Sequence, residues 1–302
     1  MSAWHWYRGH GLLMRSAIEL PEFRPAGDGG ADLTIRMAES APALPAPERG
    51  REATFLATRD GAVMERRGVG AITVRDGREI ALWPAPGSRP GQLRLFLVGS
   101  GIGMVFHQRG QLVLHGAAVR HRAGVSVILG PSGAGKSTLS AHLGAAGFAV
   151  LADDLLAMGE RGEWFVTWPG SQVSKLWEDA LGTLGIGADP AKRIDGRDGK
   201  FFVQHPGLAD DGEVTVAEVI VLGAQAEAPV LRPLGGLAAL SALAENAFRP
   251  EFVPLLERQA EHFRLSARML ERVKVLRLDR PRDLTALPAT VDLLRRHWGE
   301  GG

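Results

Sequence analysis

No cysteine occurs among the 302 residues. Disulfides, thiolate nucleophiles and zinc–thiolate sites are therefore excluded, and the chain fits a reducing, cytoplasmic setting. Neither sign of charge is in excess: 35 Lys and Arg face 34 Asp and Glu, for a formal charge of +1. Nucleic-acid binding usually leaves a basic stripe, so nucleic acid is not expected as a partner. Long hydrophobic runs are also missing. The longest near the middle, LFLVGSGIGMVF (95–106), is about half of what a bilayer requires and is rich in glycine, so it reads as a buried helix or strand. The opening MSAWHWYRGHGLLMRSAIEL has early charges and no sustained apolar stretch, unlike a signal peptide. These absences describe a soluble chain with no membrane partner. What is present is a 45% apolar fraction, enough for one large domain or a core domain with an appendage.

The texture changes near residue 100. Residues 1–100 read as a β-rich region. GLLMRSAIEL and ADLTIRMA alternate loosely and suggest edge strands around the turn AGDGGAD. SAPALPAPERGRE (40–52) is a Pro/Ala connector, and ATFLATRDG, GAITVRDG and REIALWPAP are short strands separated by Asp-Gly turns. Over 101–302, strands lead and helices return. QLVLHGAAVR, GVSVILG, FAVLADD, EVTVAEVIVLGA and VKVLRLD read as strands. KSTLSAHLGAAG, GLAALSALAENAF, PEFVPLLERQAEHFRLSARML and PRDLTALPATVDLLRRHW read as helices. The expected class is α/β, a phosphate-loop core with a β-rich region before it.

Gly130, Gly135, Lys136 and Ser137 fit G-x-x-x-x-G-K-[ST], with an apolar strand before and a helix after. Such a loop, Gly130–Pro131–Ser132–Gly133–Ala134–Gly135–Lys136–Ser137 with Thr138 behind it, is expected to bind nucleotide. Its backbone N–H groups and the positive end of the helix close around phosphate oxygens. Lys136 reaches the β- and γ-phosphates, and the Ser137 hydroxyl sits on Mg²⁺.

Asp153 and Asp154 follow Lys136 by seventeen and eighteen residues, closing a buried strand at the edge where open α/β sheets bind ligands. One carboxylate can hold the metal while the other orients a hydroxyl and accepts its proton. Adjacent strand residues point to opposite faces, so two working carboxylates require the strand to end there. The alternative is that Asp153 works alone and Asp154 caps the next turn. No Asn-Lys-x-Asp motif and no Leu-Ser-Gly-Gly signature is present, which weakens a GTPase switch and a transporter ATPase.

The stretch LHGAAVRHRAGVSVILGPSGAGKSTLSAHLGAAGFAVLADD resembles the catalytic core of the HPr kinase/phosphorylase family, whose fold is related to ATP-dependent phosphoenolpyruvate carboxykinase. In that family a His-Gly precedes the phosphate loop and an Asp-Asp pair closes the next strand. The resemblance implies Gly130 to Ser137 as the nucleotide loop, Asp153 and Asp154 as the metal and base pair, and His115 beside the acids. More weakly, TWPGSQVSKLWEDA, the AKR…GK stretch and the opening WYRGHGLLMRSAIELPEF resemble kinases encoded beside lasso-peptide genes, which phosphorylate the C-terminal residue of the precursor peptide. Thr138 stands where the bifunctional members carry Glu, and their longer acidic and arginine-bearing signature is not found. Both departures argue against the reverse reaction and against HPr as substrate.

His115 also reads without the resemblance as a core histidine or as a proton-relay partner that orients an aspartate. Lys175, Lys192, Arg193 and Lys200 lie in a loop-rich stretch, where a cation can hold a transferring phosphate or an ordinary solvated surface. Lys192 and Arg193 are the favoured pair. Trp168 and Trp177 are expected to pack, although an aromatic near the site can also stack on adenine. The expected function is an ATP- and Mg²⁺-dependent serine or threonine kinase acting on a peptide or small protein, free to form a homo-oligomer. A small-molecule kinase and a non-catalytic nucleotide-binding regulator are the alternatives.

Overall fold

The computed structural model describes residues 4–44, 53–58, 61–194, 199–205 and 212–300. The expected connector at 40–52 lies outside the described residues from residue 45 on. The first sheet is built from β1 (His5–Gly9), β2 (Leu12–Ser16), β3 (Arg24–Pro25), β4 (Leu33–Met37), β5 (Ala53–Ala57), β6 (Gly61–Arg66), β7 (Gly70–Arg75) and β8 (Glu79–Pro84). Their spatial order is β3-β1-β2-β4-β8-β7-β6-β5.

The two segments expected at the edge, β2 and β4, are instead parallel neighbours inside the sheet, because β1 folds back on β2 and β4 also pairs with β8. The edges are β3 and β5. The expected Asp-Gly turn at Asp76–Gly77 forms: both residues hold positive φ, 51° and 60°, and the Arg78 N–H donates to the Arg75 carbonyl at 2.9 Å.

A continuous helical stretch follows: α1 (Pro90–Phe96), a π-helical turn (Leu97–Gly101) and α2 (Ile102–Gln108). The apolar run 95–106 is thus a buried helix. It crosses the boundary expected at residue 100, and Leu93, Phe96, Leu97, Ile102, Val105 and Phe106 all bury against the first sheet. Val113, Leu155, Phe248 and Phe252 from the rest of the chain enter the same apolar cluster.

The second sheet comprises β9 (Leu112–His121), β10 (Gly124–Leu129), β11 (Ala149–Arg161), β12 (Trp164–Thr167), β15 (Val214–Gln225), β16 (Val230–Pro233) and β17 (Lys274–Arg280), ordered β10-β9-β11-β12-β15-β17-β16. Because β10 also pairs with β15, five of these strands close into a ring. The pairs β10–β15 and β15–β17 are parallel; the other pairings are antiparallel. Between β12 and β15 a separate two-stranded ribbon stands out, β13 (Val173–Trp177) with β14 (Lys200–Gln204), and α4 (Glu178–Thr183) follows β13.

Two apolar layers sandwich the second sheet. One holds α5 (Gly236–Glu245) and α7 (Gln259–Arg272), through Ala239, Leu243, Leu265 and Met269. The other holds α3 (Lys136–Ala145) and α8 (Leu287–His297), through Leu139, Leu143, Val291 and Leu294. The long helix expected over PEFVPLLERQAEHFRLSARML is broken into α6 (Phe252–Leu255) and α7, with Glu257 at φ 55° between them. No described helix is long and apolar enough to cross a membrane.

Candidate active site

The phosphate loop leaves the end of β10 and enters α3. Gly133 and Gly135 hold φ of 82° and 88°. At Gly135 the φ of 88° would strain any side chain, and a Cβ there would also press on the Arg280 guanidinium, which would have to shift. The first turn of α3 directs N–H groups without intrahelical partners towards the space in front of the loop. Lys136 is buried and donates to the carbonyls of Gly130 (2.6 Å) and Pro131 (3.2 Å). Burial pushes its ammonium down, against the pull of Asp153 and Asp154.

Strand register explains why the acids reach this loop. Asp153 pairs with Ala117 and Asp154 with Gly116 on β9, while those residues pair with Ile128 and Leu129 on β10. Both acids therefore stand level with the last residues before the loop. The strand does not end at them, as was expected; it runs on to Arg161. Asp154 instead adopts φ 86°, a left-handed conformation that breaks the alternation of β11 in mid-strand. This kink, not a terminus, lets successive carboxylates serve one region.

The two acids differ sharply in surroundings. Asp153 is 4% exposed and accepts from Ser137 Oγ at 3.0 Å. Burial raises its carboxyl above the ordinary value, although the nearby Ser174 and Ser137 hydroxyls oppose that shift. Asp154 opens into the cleft. Its Oδ2 pairs with Lys175 Nζ at 2.6 Å, and His115 Nδ1 lies 3.0 Å from both its Oδ1 and its backbone oxygen. Burial alone would raise the Asp154 carboxyl, but the Lys175 ammonium and the His115 ring hold it well below the usual carboxylate range.

The loop from Gly130 to Thr138, His115 and Asp154 line one cleft of about 640 Å³, with Asp153 just behind the wall. Lys175 and Lys200 line it too. Lys192 and Arg193, the pair favoured from sequence, do not: both are exposed, and the Arg193 guanidinium lies over the Phe201 ring at 5.8 Å. The reason is the β13–β14 ribbon, which the sequence disguised as loop. It aims Lys175 at Asp154 and leaves 192–193 on the far side of β14. Trp168 packs, with Arg161 over its ring, whereas Trp177 stays 51% exposed at the cleft rim beside Lys200.

Several contributors carry no sequence signal. Asn246 follows α5; its Oδ1 accepts from Gly130 N at 2.9 Å and its carbonyl from His115 N at 2.7 Å, tying the loop to the histidine strand. Arg280, at the end of β17, donates to the Ala134 carbonyl at 3.0 Å. Arg66 of β6 and the helical segment Leu95–Ser100 supply the opposite wall. The polar pair Glu245–Asn246 at the end of an apolar helix is a faint mark for Asn246; nothing local marks Arg280 or Arg66.

No family model matches the chain, and no curated protein matches it. Among solved structures, an HPr(Ser) kinase/phosphatase from Coxiella burnetii is similar at a TM-score of 0.32 and 15% identity, over 63% of this chain and 99% of that one. At that level of similarity, the residues of the cleft must carry the functional reading.

Proposed function

We propose that the protein is an ATP- and Mg²⁺-dependent phosphotransferase that phosphorylates a serine or threonine hydroxyl of a peptide or small protein. The observation that carries this reading is the pairing of a phosphate loop with two carboxylates in unlike environments, one bonded to the loop serine and one open to the cleft. Simple nucleotide binding needs no second acid. The resemblance to HPr-kinase-like proteins favours the same class, with a lasso precursor peptide as the most specific acceptor candidate.

The residues suit Mg²⁺. Ser137 Oγ and the Asp153 carboxylate are adjacent oxygen donors, the kind this ion takes. Among the described residues no set of three or more His, Cys, Asp and Glu is placed to hold a metal ion. When bound, Mg²⁺ would neutralise charge building on the transferred group.

In this reading, Asp153 and Ser137 hold the metal side. Lys136 exchanges its contacts with the Gly130 and Pro131 carbonyls for phosphate oxygens, and the loop amides cradle them. Asp154 orients the acceptor hydroxyl and takes its proton. A carboxylate held this acidic is a weak base, but a loose phosphoryl-transfer transition state asks for orientation more than for proton affinity. Lys175 and His115 fix the Asp154 carboxylate, so positioning supplies most of the rate.

The test is intact mass spectrometry of a precursor peptide, an HPr-like protein and a set of small alcohols after incubation with ATP and Mg²⁺. A gain of ~80 Da on the peptide, one phosphate, is expected. Gain on an alcohol alone would establish a small-molecule kinase. ATP binding without any gain would leave a nucleotide-binding regulator.

A further inference from the structure

Apart from His115, three aromatic rings line the cleft among the described residues: Phe96, Trp177 and Phe248. Phe96 and Phe248 are each 5% exposed and belong to the apolar cluster under the first sheet. Trp177 is 51% exposed, and no step of the transfer uses it. Its ring is nevertheless held in place. Trp177 pairs with Lys200 across the β13–β14 ribbon, and the Lys200 ammonium lies 4.7 Å from the ring centroid. A flat apolar surface fixed on a cleft wall is what small-molecule sites use to hold a ring.

The run of the phosphates says which ring. Ser137 and the two acids mark the end where transfer occurs, and Lys136 reaches the β- and γ-phosphates. The α-phosphate then lies at the first turn of α3, so the nucleoside leaves past Thr138. Ala141 stands one turn further on the same face of α3, and it packs with Leu176 of β13 and with Ala180 and Leu181 of α4. The ribbon and α4 therefore cover that face of the helix, and α4 also meets the 3-10 turn Leu284–Ala286. Trp177 is the residue that joins β13 to α4. Side chains alternate along a strand, so as Leu176 turns in to α3, Lys175 and Trp177 turn to the cleft. Lys175 meets the transfer end at Asp154. Trp177 lies two residues on, about 7 Å along the ribbon, where the nucleoside emerges.

We propose that Trp177 stacks on the base of the bound nucleotide, with Lys200 holding the indole in place. The inference deepens the reading of the cleft as a nucleotide site and rests on it. Stacking reads the area of a ring and not its edges, because every base has a π-face. Trp177 therefore contributes alike to ATP and GTP and less to a pyrimidine nucleotide. One ribbon strand then serves both ends of the nucleotide, with Lys175 at the acid and Trp177 at the base.

Binding measurements test this without any need for turnover. ATP, ADP, GTP, CTP and inorganic tripolyphosphate, each with Mg²⁺, are titrated by calorimetry into the full chain and into Trp177→Ala. The alanine variant should lose about tenfold in affinity for ATP and ADP, within the range of one base–aromatic stack. It should lose nothing for tripolyphosphate, which has the phosphates and no base, and that result also shows the phosphate loop to be intact. GTP should lose as much as ATP, and CTP less. Trp177→Phe, which keeps a flat ring, should recover most of the affinity. ATP should quench the part of the tryptophan emission that Trp177→Phe lacks, and tripolyphosphate should not. Unchanged ATP affinity in the alanine variant overturns the proposal, and a raised acceptor KM beside it assigns the ring to the acceptor instead. Equal losses for ATP and tripolyphosphate make the ring structural and overturn it as well. An unaltered protein that binds neither compound ends the nucleotide reading and this inference with it. If nucleotide binds but no acceptor gains phosphate, the kinase reading falls by itself, while the titrations still decide the role of Trp177.

Discussion

The two sheets hold eight and seven strands, yet they are put to opposite uses. In the first, β5 to β8 form an antiparallel meander, where short hairpins suffice. Its inner face, with Met14, Ile35, Ile72 and Leu82 fully buried, lies on the helical stretch 90–108. In the second, the parallel pairs β10–β15 and β15–β17 oblige the chain to cross over, and crossing connections leave loops at one edge. The phosphate loop and Arg280 meet there because their strands run the same way. The first sheet has parallel pairs as well, β2–β4 and β4–β8, so what sets the second apart is that its parallel strand ends carry the glycine loop and its polar partners.

If that division holds, the largest effect belongs to the second sheet. Asp154→Asn should lower turnover by about 10³-fold, the scale of a lost general base, with nucleotide affinity unchanged by calorimetry. A parallel loss of nucleotide binding would make the acid structural instead.

Next comes the core that both sheets share. Phe106→Ala, at a wholly buried position, should cost about 3–5 kcal/mol in chemical denaturation. One cooperative transition is expected, since the apolar cluster around Phe106 draws on both parts of the chain. Two separated transitions would show that the sheets melt independently.

A smaller effect concerns pH. Asp154 is held below its ordinary 3.8, so its charged form stabilises the fold above that value, and the contribution fades only as pH falls through the lower folded pKa. Lys175→Met removes the main opposing charge and leaves burial, which raises the carboxyl. The acid limb of the rate profile should therefore move to higher pH, and an unmoved limb would assign it to another group.

The smallest effect tests the wall made by the first sheet. Arg66→Ala should raise the acceptor KM by no more than roughly fivefold, as for a half-buried charge on the cleft wall, and leave kcat alone. A collapse of kcat would bring the first sheet into the chemistry and end the division.

Much of the site could be read before the fold was known, because its parts are close in sequence: one helix separates the loop from Asp153 and Asp154, and one turn separates β9 from β10. The seven-strand order could not be read, since parallel pairing links residues such as Val125 and Val216 that share no local pattern. Lys175 was passed over in favour of Lys192 and Arg193 because β13 and β14 are five residues each and joined by a long connection. The left-handed Asp154 was equally hidden. Aspartate tolerates that conformation better than most residues, but its place inside an apolar run gave no warning.

The chain has only five lysines, and Lys136, Lys175 and Lys200 line the cleft while Lys192 and Lys274 do not. An amine-selective label therefore acts as a reporter built into the protein. Peptide mapping after brief acylation should find the three cleft lysines shielded by ATP and the two outside unchanged, so occupancy of the cleft can be followed with no acceptor in hand.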